Sequence, residues 1–123
     1  MKISIIIPPC REIATSYPPY GALYIGAWLK ANGYEVSLCN MDIDRSLNTK
    51  DAVEFVEKEK PDILGFSAIV STTYGYVKEM SHAIRDRFPE MKQIMGGQLS
   101  QAAKVVLDNT SIDAIVIGEG EVT

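Results

Sequence analysis

Short runs of apolar, mostly β-branched residues recur along the chain and predict five strands. The first run, Lys2–Ile7, is closed by Pro8 and Pro9. Its unbroken apolar character is typical of a strand that is covered on both faces. The remaining predicted strands are Glu35–Leu38, Asp62–Ser67, Lys92–Met95 and Asp113–Ile117.

Between these runs, apolar residues return every three or four positions, which predicts helices. The first helix is expected to bury the stripe formed by Tyr20, Leu23, Ala27 and Ala31, with Gly33 as its carboxyl cap. A second, shorter helix is predicted over Asp51–Glu59. Its expected amino-terminal cap is Thr49, and Pro61 prevents it from continuing.

The third helix carries the clearest apolar stripe, and a proline marks its end. The stripe consists of Val77, Met80, Ile84 and Phe88, followed by Pro89. A fourth helix is predicted from about Ser100 to Leu107, with one side formed by Leu99, Ala102, Ala103 and Val106.

Strict alternation of strands and helices predicts an α/β fold with right-handed crossovers. We expect three layers around a five-stranded parallel sheet, in a flavodoxin-like or Rossmann-like arrangement. The 123 residues, with 46% hydrophobic and 23% charged positions, fit one globular unit, and no repeat or linker divides them. Residues 1–123 are therefore predicted to form a single domain.

Charge and cysteine content exclude several classes of function. Twelve basic against sixteen acidic residues give a net charge of -4, so nothing indicates nucleic-acid binding. The longest uncharged run, 13–29, is broken by prolines and glycines and is too short and polar for a membrane span. Without a signal peptide, the expected location is cytoplasmic. Cys10 and Cys39 have no Cys-x-x-Cys spacing, so we expect reduced thiols and no metal site.

In an open α/β sheet, ligands bind outside the carboxyl ends of the strands, so the loops that follow the strands are the candidate site. The first loop, 8–19, is long and rich in proline and tyrosine. The loop after the third strand mixes hydroxyls with apolar side chains, and Thr72 or Thr73 is expected to cap the next helix. Glycine pairs follow the fourth and fifth strands.

Two functions that are common among such folds require residues that this chain lacks. A phosphoacceptor receiver domain needs acidic residues after its first and third strands, where this chain has Pro8–Cys10 and Ser67–Ile69. The glycines match neither a Walker loop nor a dinucleotide fingerprint. The single histidine, His82, is placed off the apolar stripe of the third helix and is expected to be an ordinary exposed residue. The chain alone therefore has no credible catalytic group.

Five segments, taken in order, resemble one family. They are Pro18–Leu29, Gly33–Val36, Pro61–Ser67, Gly96–Gly97, and Asp113–Val116 leading into Gly118–Glu121. Together they are similar to the N-terminal cobalamin-binding domain of cobalamin-dependent radical S-adenosylmethionine (radical SAM) enzymes. The resemblance covers essentially the whole chain.

The resemblance implies a set of cobalamin-binding positions. Ser67 and Ile69 match the family's Ser-x-Leu element, whose serine bonds the nucleotide tail of the cofactor. Gly96 and Gly97 would make space for the base of that tail, although Gln98–Ser100 replace the family's usual Pro-His-like segment. The expected far wall is Gly118, Glu119 and Gly120, and the residues expected near the corrin are Tyr20 and Gly21.

The resemblance also implies how cobalt is ligated. The best-known cobalamin domains place a cobalt-binding histidine in the first loop, within Asp-x-His-x-x-Gly, but Pro8–Gly21 contains neither histidine nor aspartate. We therefore expect cobalamin to bind base-off, with no protein imidazole on cobalt and no metal ligand from this chain.

The radical half of such an enzyme is expected in a separate C-terminal domain. Its Cys-x-x-x-Cys-x-x-Cys motif holds a [4Fe-4S] cluster beside S-adenosylmethionine, and Cys10 and Cys39 cannot build it. The parent enzyme would be a methyltransferase or would resemble the anaerobic magnesium-protoporphyrin IX monomethyl ester oxidative cyclase. This domain would bind the cofactor without being catalytic itself.

Two alternatives remain open at this point. The same fold, without the cofactor, would serve substrate recognition or subunit contact. A small flavin carrier is a weaker candidate, because its phosphate loop needs a Ser/Thr-rich turn after the first strand and only Thr15 and Ser16 come close.

Overall fold

The sheet has five parallel strands in the order β2-β1-β3-β4-β5, as expected for a flavodoxin-like fold. The computed structural model describes residues 1–11, 14 and 17–121. The strands are β1 (Lys2–Ile7), β2 (Glu35–Asn40), β3 (Ile63–Ser67), β4 (Lys92–Gly96) and β5 (Ala114–Ile115). The predicted fold class and all five strand positions are confirmed, although β5 pairs with β4 over only two residues.

Four α-helices join these strands, as the apolar spacing predicts. They are α1 (Tyr20–Ala31), α2 (Thr49–Glu59), α3 (Tyr74–Arg87) and α4 (Ala103–Asn109). Short 3₁₀ turns, Ser71–Thr73 and Gln98–Ala102, precede α3 and α4. The fourth helix therefore starts later than predicted, because its first residues form the tighter turn. No described helix is long and apolar enough to cross a membrane.

Alternation along the strands divides the core into two layers. Ile3, Ile5 and Ile7 of β1 pack with α1, whereas Ile6 belongs to a larger cluster on the opposite face of the sheet. That larger cluster includes Leu64, Phe66, Val56, Val77, Met80, Ile84, Met95 and Val106. Helix α1 therefore covers one face and α2, α3 and α4 cover the other, which confirms the three-layer expectation.

The predicted buried stripe of α1 is wrong. The helix buries Ala22 and Gly26, while Tyr20 is 74% exposed and Leu23 is 41% exposed. Ala27 and Ala31 are exposed too. The small residues face the sheet because the helix runs close to it: a Cβ at Gly26 would lie 3.6 Å from Val36 Cγ1. Close packing selects small side chains at the centre of the contact, with Ile25 and Leu29 packing beside them and Tyr20 and Leu23 exposed.

The predicted cap of α2 is also wrong by one residue. Asn48, not Thr49, is the capping residue, and its side chain accepts a hydrogen bond from the Lys50 amide at 2.9 Å. The Asp51 carboxylate accepts in return from the Asn48 amide at 2.8 Å. This reciprocal capping box leaves Thr49 inside the helix as its first residue. The predicted cap of α1 is confirmed, because Gly33 has a φ of 88° and donates to the Lys30 carbonyl.

Candidate functional site

Two neighbouring cavities open at the carboxyl ends of the strands. The first cavity, of about 280 Å³, lies between the loop after β1, the end of β2 and the end of β3. The second cavity, of about 430 Å³, lies between the segments that follow β3 and β4. Ile69 and Val70 line both cavities and are 45% and 39% exposed. They form an apolar ridge between the two.

Ser67 and Gly96 lie side by side at the ends of β3 and β4, where they are register partners. The strand alternation places both on the face of the sheet that carries α1. A Cβ at Gly96 would meet no atom within 4 Å. Ser67 lines the first cavity, and its hydroxyl has no hydrogen-bond partner within the part of the chain that the structure describes. The pair therefore leaves an open slot with a hydroxyl group on one side.

Gly97 has a different role from its neighbour. A Cβ there would overlap the carbonyl group of Ala68, within 2.8 Å of the carbonyl carbon, and φ is 97°. The adjoining backbone is hydrogen-bonded, with the Leu99 amide donating to the Ala68 carbonyl at 3.1 Å. Gly97 is thus required for the close approach of the loops after β3 and β4.

Of the nine predicted positions, Ser67 and Ile69 are the two among the residues that line these cavities. Tyr20 and Gly21 begin α1, and both are exposed. Gly118 is exposed with a φ of 89°. The segment after β5 turns back toward α1, since a Cβ at Gly120 would lie 3.1 Å from Ile25 Cδ1. Of the predicted set, the structure brings Ser67, Ile69, Gly96 and Gly97 together at the ends of β3 and β4. Gly118 and Glu119 follow β5, and the chain reaches α1 at Gly120.

Sequence reasoning missed a network that holds the first loop. Asp42, only 6% exposed, accepts hydrogen bonds from the Cys10 amide at 2.8 Å and from the Cys10 thiol at 3.2 Å. The Arg45 guanidinium also donates to Asp42, at 2.8 Å. From the other side, the Thr72 hydroxyl donates to the Cys10 carbonyl at 2.6 Å. The only sequence signal was the position of Asp42 just after a strand.

The charges in this network affect each other. Burial by itself raises the pKa of Asp42, but the hydrogen bonds from Cys10 and Arg45 outweigh it and hold that pKa below its ordinary value. Burial and the nearby Asp42 carboxylate raise the pKa of the Cys10 thiol. Asp42 is therefore ionised and Cys10 protonated near neutral pH. Neither a thiolate nucleophile nor a thiolate ligand is favoured there.

Thr73 occupies the N-cap position of α3, as expected, but neither Thr72 nor Thr73 makes a side-chain capping bond. Thr72 is bonded to Cys10, and the Thr73 hydroxyl donates to the Val70 carbonyl at 2.5 Å. Thr73 precedes α3 without a side-chain capping bond. The Thr72 hydroxyl therefore connects this loop to the first loop, and the Thr73 hydroxyl bonds within its own loop.

The single histidine is far from the cavities. His82 is exposed on α3, and its ring is hydrogen-bonded to the Ser111 hydroxyl at 2.8 Å and the Asn109 carbonyl at 3.2 Å. Both partners precede β5, so they lie at the opposite end of the sheet. Within the described ranges, no group of three histidine, cysteine or acidic residues is placed to hold a metal ion. The Thr15 and Ser16 turn weighed for a flavin lies outside the described residues.

Two proteins of similar fold, known from solved structures, bind cobalamin. A cobalamin-binding protein from Desulfitobacterium hafniense superposes with a TM-score of 0.74 at 20% identity, over 94% of this chain and 52% of that chain. The radical S-adenosylmethionine methyltransferase TsrM from Kitasatospora setae, with cobalamin and a [4Fe-4S] cluster bound, superposes with a TM-score of 0.83 at 18% identity. That match covers 98% of this chain and 22% of TsrM.

Sequence comparison gives the family. The anaerobic magnesium-protoporphyrin IX monomethyl ester cyclase of Rubrivivax gelatinosus is 31% identical over 112 residues. The alignment covers 89% of this chain but only 20% of the cyclase, so the chain spans about a fifth of that relative. The family model for the B12 binding domain matches residues 8–123, which include every residue that lines the two cavities except Ile7, together with the slot between Ser67 and Gly96. The chain belongs to the B12-binding domain family.

Proposed function

We propose that this domain is the cobalamin-binding module of a longer radical SAM enzyme, active in methyl transfer or oxidative cyclisation. The observation that carries the proposal is the family match over residues 8–123. The likeness to the cyclase and to TsrM supports the radical SAM context. The radical chemistry, with S-adenosylmethionine and a [4Fe-4S] cluster, would belong to a domain that follows this one.

The residues at the strand ends fit such a cofactor. The slot offers open space at Gly96 beside the Ser67 hydroxyl, which would bond the nucleotide tail of the cofactor. The ridge of Ile69 and Val70 offers apolar contact to a large ring. Residues 118–120 would close the α1 side, and Tyr20 and Gly21 would lie at its rim. Bound cobalamin would supply a cobalt that accepts and donates a methyl group.

We further propose that cobalamin binds base-off and without a protein imidazole. A protein ligand in place of the cofactor's own base would require a histidine at the strand ends. The only histidine in the chain, His82, is bonded to Ser111 and Asn109 at the other end of the sheet. The first loop therefore contains no histidine whose imidazole would bind the cobalt.

A titration with hydroxocobalamin tests the proposal. We expect visible absorbance to stay with the protein after desalting, with the spectrum of a base-off form. Gly96→Val should weaken binding by at least about tenfold, because the slot is filled while the backbone stays unstrained. Lys92→Val, at the far end of the same strand, is the matched control and should bind like wild type.

The outcomes separate the alternatives. Absence of bound pigment in the wild-type protein would favour the cofactor-free domain for substrate recognition or subunit contact. A base-on spectrum would contradict only the ligation proposal. The coding sequence beyond residue 123 tests the larger enzyme: a Cys-x-x-x-Cys-x-x-Cys motif is expected there, and its absence would contradict the radical SAM assignment.

A further inference from the structure

Cys10 connects three of the loops that surround the first cavity. Its amide and thiol both donate to Asp42, which follows β2, and its carbonyl accepts from Thr72, which follows β3. Asp42 is 32 residues away along the chain and Thr72 is 62 residues away. The first loop is therefore fastened near its start to the loops on both sides.

Asp42 is itself held firmly. Its own amide donates to the Asn40 side chain at 3.0 Å, and the adjacent Met41 amide donates to the Ile7 carbonyl at 2.9 Å. Arg45 bonds both the Asp42 carboxylate and the Met41 carbonyl. A carboxylate buried to this degree is stable only with such partners. Asp42 thus provides a fixed and charged acceptor rather than a mobile one.

The fastened atoms lie in the wall of the cavity. Cys10, Asn40 and Asp42 line it together with Ser67 and Ile69, two of the positions expected to contact cobalamin. The loop after β1 is long, and a long loop that is free to move costs binding free energy when a ligand orders it. Hydrogen bonds that fix the loop in advance reduce that cost.

We propose that Asp42 is a positioning residue for the cofactor: with Thr72, it fixes Cys10 and so presets the shape of the first cavity. The inference rests on the proposed function, because cobalamin is the ligand that the cavity would take. It assigns no contact between Asp42 and cobalt. The residue acts through the loop that it holds.

Two matched pairs of variants test this role in hydroxocobalamin titrations. Asp42→Asn keeps the shape but loses the charged double acceptor, and we expect at least about tenfold weaker binding. Asp44→Asn is its control, since Asp44 is exposed in the same loop and its carboxylate bonds only Ser46 among the contacts described. Thr72→Val removes the hydroxyl and should weaken cobalamin binding. Thr72→Ser keeps the hydroxyl and should bind cobalamin like wild type.

A second readout needs no cofactor. In a Cys39→Ala background, Cys10 is the only thiol. Its rate of alkylation by iodoacetamide, divided by the thiolate fraction obtained from the pH dependence of alkylation in each variant, reports whether the loop is fastened. Asp42→Asn and Thr72→Val should accelerate alkylation several-fold, while Asp44→Asn and Thr72→Ser should not. Thermal unfolding of each variant identifies any that fails to fold. If Asp42→Asn does not fold, the exposed Thr72 pair decides the question.

The results distinguish this role from the proposed function. If wild type binds cobalamin and the folded Asp42 and Thr72 variants bind it equally well, the positioning role is overturned and the proposed function stands. If wild type binds no cobalamin, the proposed function and the positioning role both fail. Faster alkylation would then describe a structural anchor only.

Discussion

At the scale of single residues, two adjacent glycines serve different purposes. Gly96 leaves open space beside Ser67, whereas Gly97 makes room for the backbone of Ala68. A bulky residue at Gly97 would break the contact between two loops whether or not a cofactor binds. Only a substitution at Gly96 therefore reports on the slot itself.

This difference predicts a large stability loss for Gly97→Ala. The new Cβ would collide with the Ala68 carbonyl group, and a φ of 97° with a ψ of -178° is a region that only glycine occupies readily. We expect a loss of at least about 3 kcal/mol in the free energy of unfolding, measured by urea denaturation.

Gly33→Ala is the matched control for that measurement. Gly33 also has a left-handed φ, of 88°, but a Cβ there would meet no atom within 4 Å. The expected loss is therefore only about 1–2 kcal/mol, from the backbone conformation alone. Equal losses in the two variants would contradict the collision with Ala68.

At the scale of elements, the helix caps and the helix faces depend on single positions that periodicity does not resolve. The α2 pattern locates the helix correctly, yet its cap is Asn48, one residue before the predicted Thr49. The α1 pattern likewise locates the helix but indicates the wrong buried face. Tyr20, Tyr24 and Trp28 therefore form an exposed aromatic row along α1.

The capping assignment predicts that alanine substitutions at two neighbouring residues differ in their effect on the free energy of unfolding. Asn48→Ala should lower the free energy of unfolding by about 1 kcal/mol, because the Lys50 amide loses its acceptor. Thr49→Ala should change it by less than about 0.5 kcal/mol, since a first-turn threonine contributes little. Urea denaturation of both variants checks this, and a larger loss for Thr49→Ala would contradict the assigned cap.

At the scale of the whole molecule, the described ion pairs connect distant segments. Arg85 of α3 is bonded to the Asp113 carboxylate at 2.7 Å, and Lys2 is paired with Glu59 at 2.7 Å. The hydrogen bond from Lys2 lowers the pKa of Glu59. For Asp113, burial acts to raise the pKa, but bonds from the Gln93 amide and Arg85 lower it overall. The pKa of Asp42 is lowered as well.

These shifts predict acid sensitivity. A carboxyl group whose pKa is lower in the folded state stabilises that state above its unfolded pKa, near 4. The contribution is lost as the pH falls through the lower folded value. The free energy of unfolding should therefore be nearly constant from pH 7 to about 5 and decline below it.

Urea denaturation at a series of pH values measures this decline, and Asp113→Asn isolates one contributor. That variant should be less stable than wild type at pH 7 and lose less stability on acidification. An identical slope below pH 5 in the two proteins would show that Asp113 is not a source of the acid sensitivity.

The sequence by itself determined the alternation of strands and helices, and with it the parallel sheet and the edge at which the two cavities open. This succeeded because apolar periodicity is local: continuous runs such as Lys2–Ile7 and the stripe from Val77 to Ile84 require no knowledge of their partners. The resemblance carried by ordered motifs added the cofactor, and the family match bears it out.

Only the tertiary structure decided which residues meet. The bonds from Cys10 to Asp42 and from Thr72 to Cys10 exist because β1 lies between β2 and β3 in the sheet. The contact of Gly97 with Ala68 and the buried face of α1 depend on distances between elements. Periodicity gives the spacing of residues within one element, but packing between elements sets which neighbour each side chain touches.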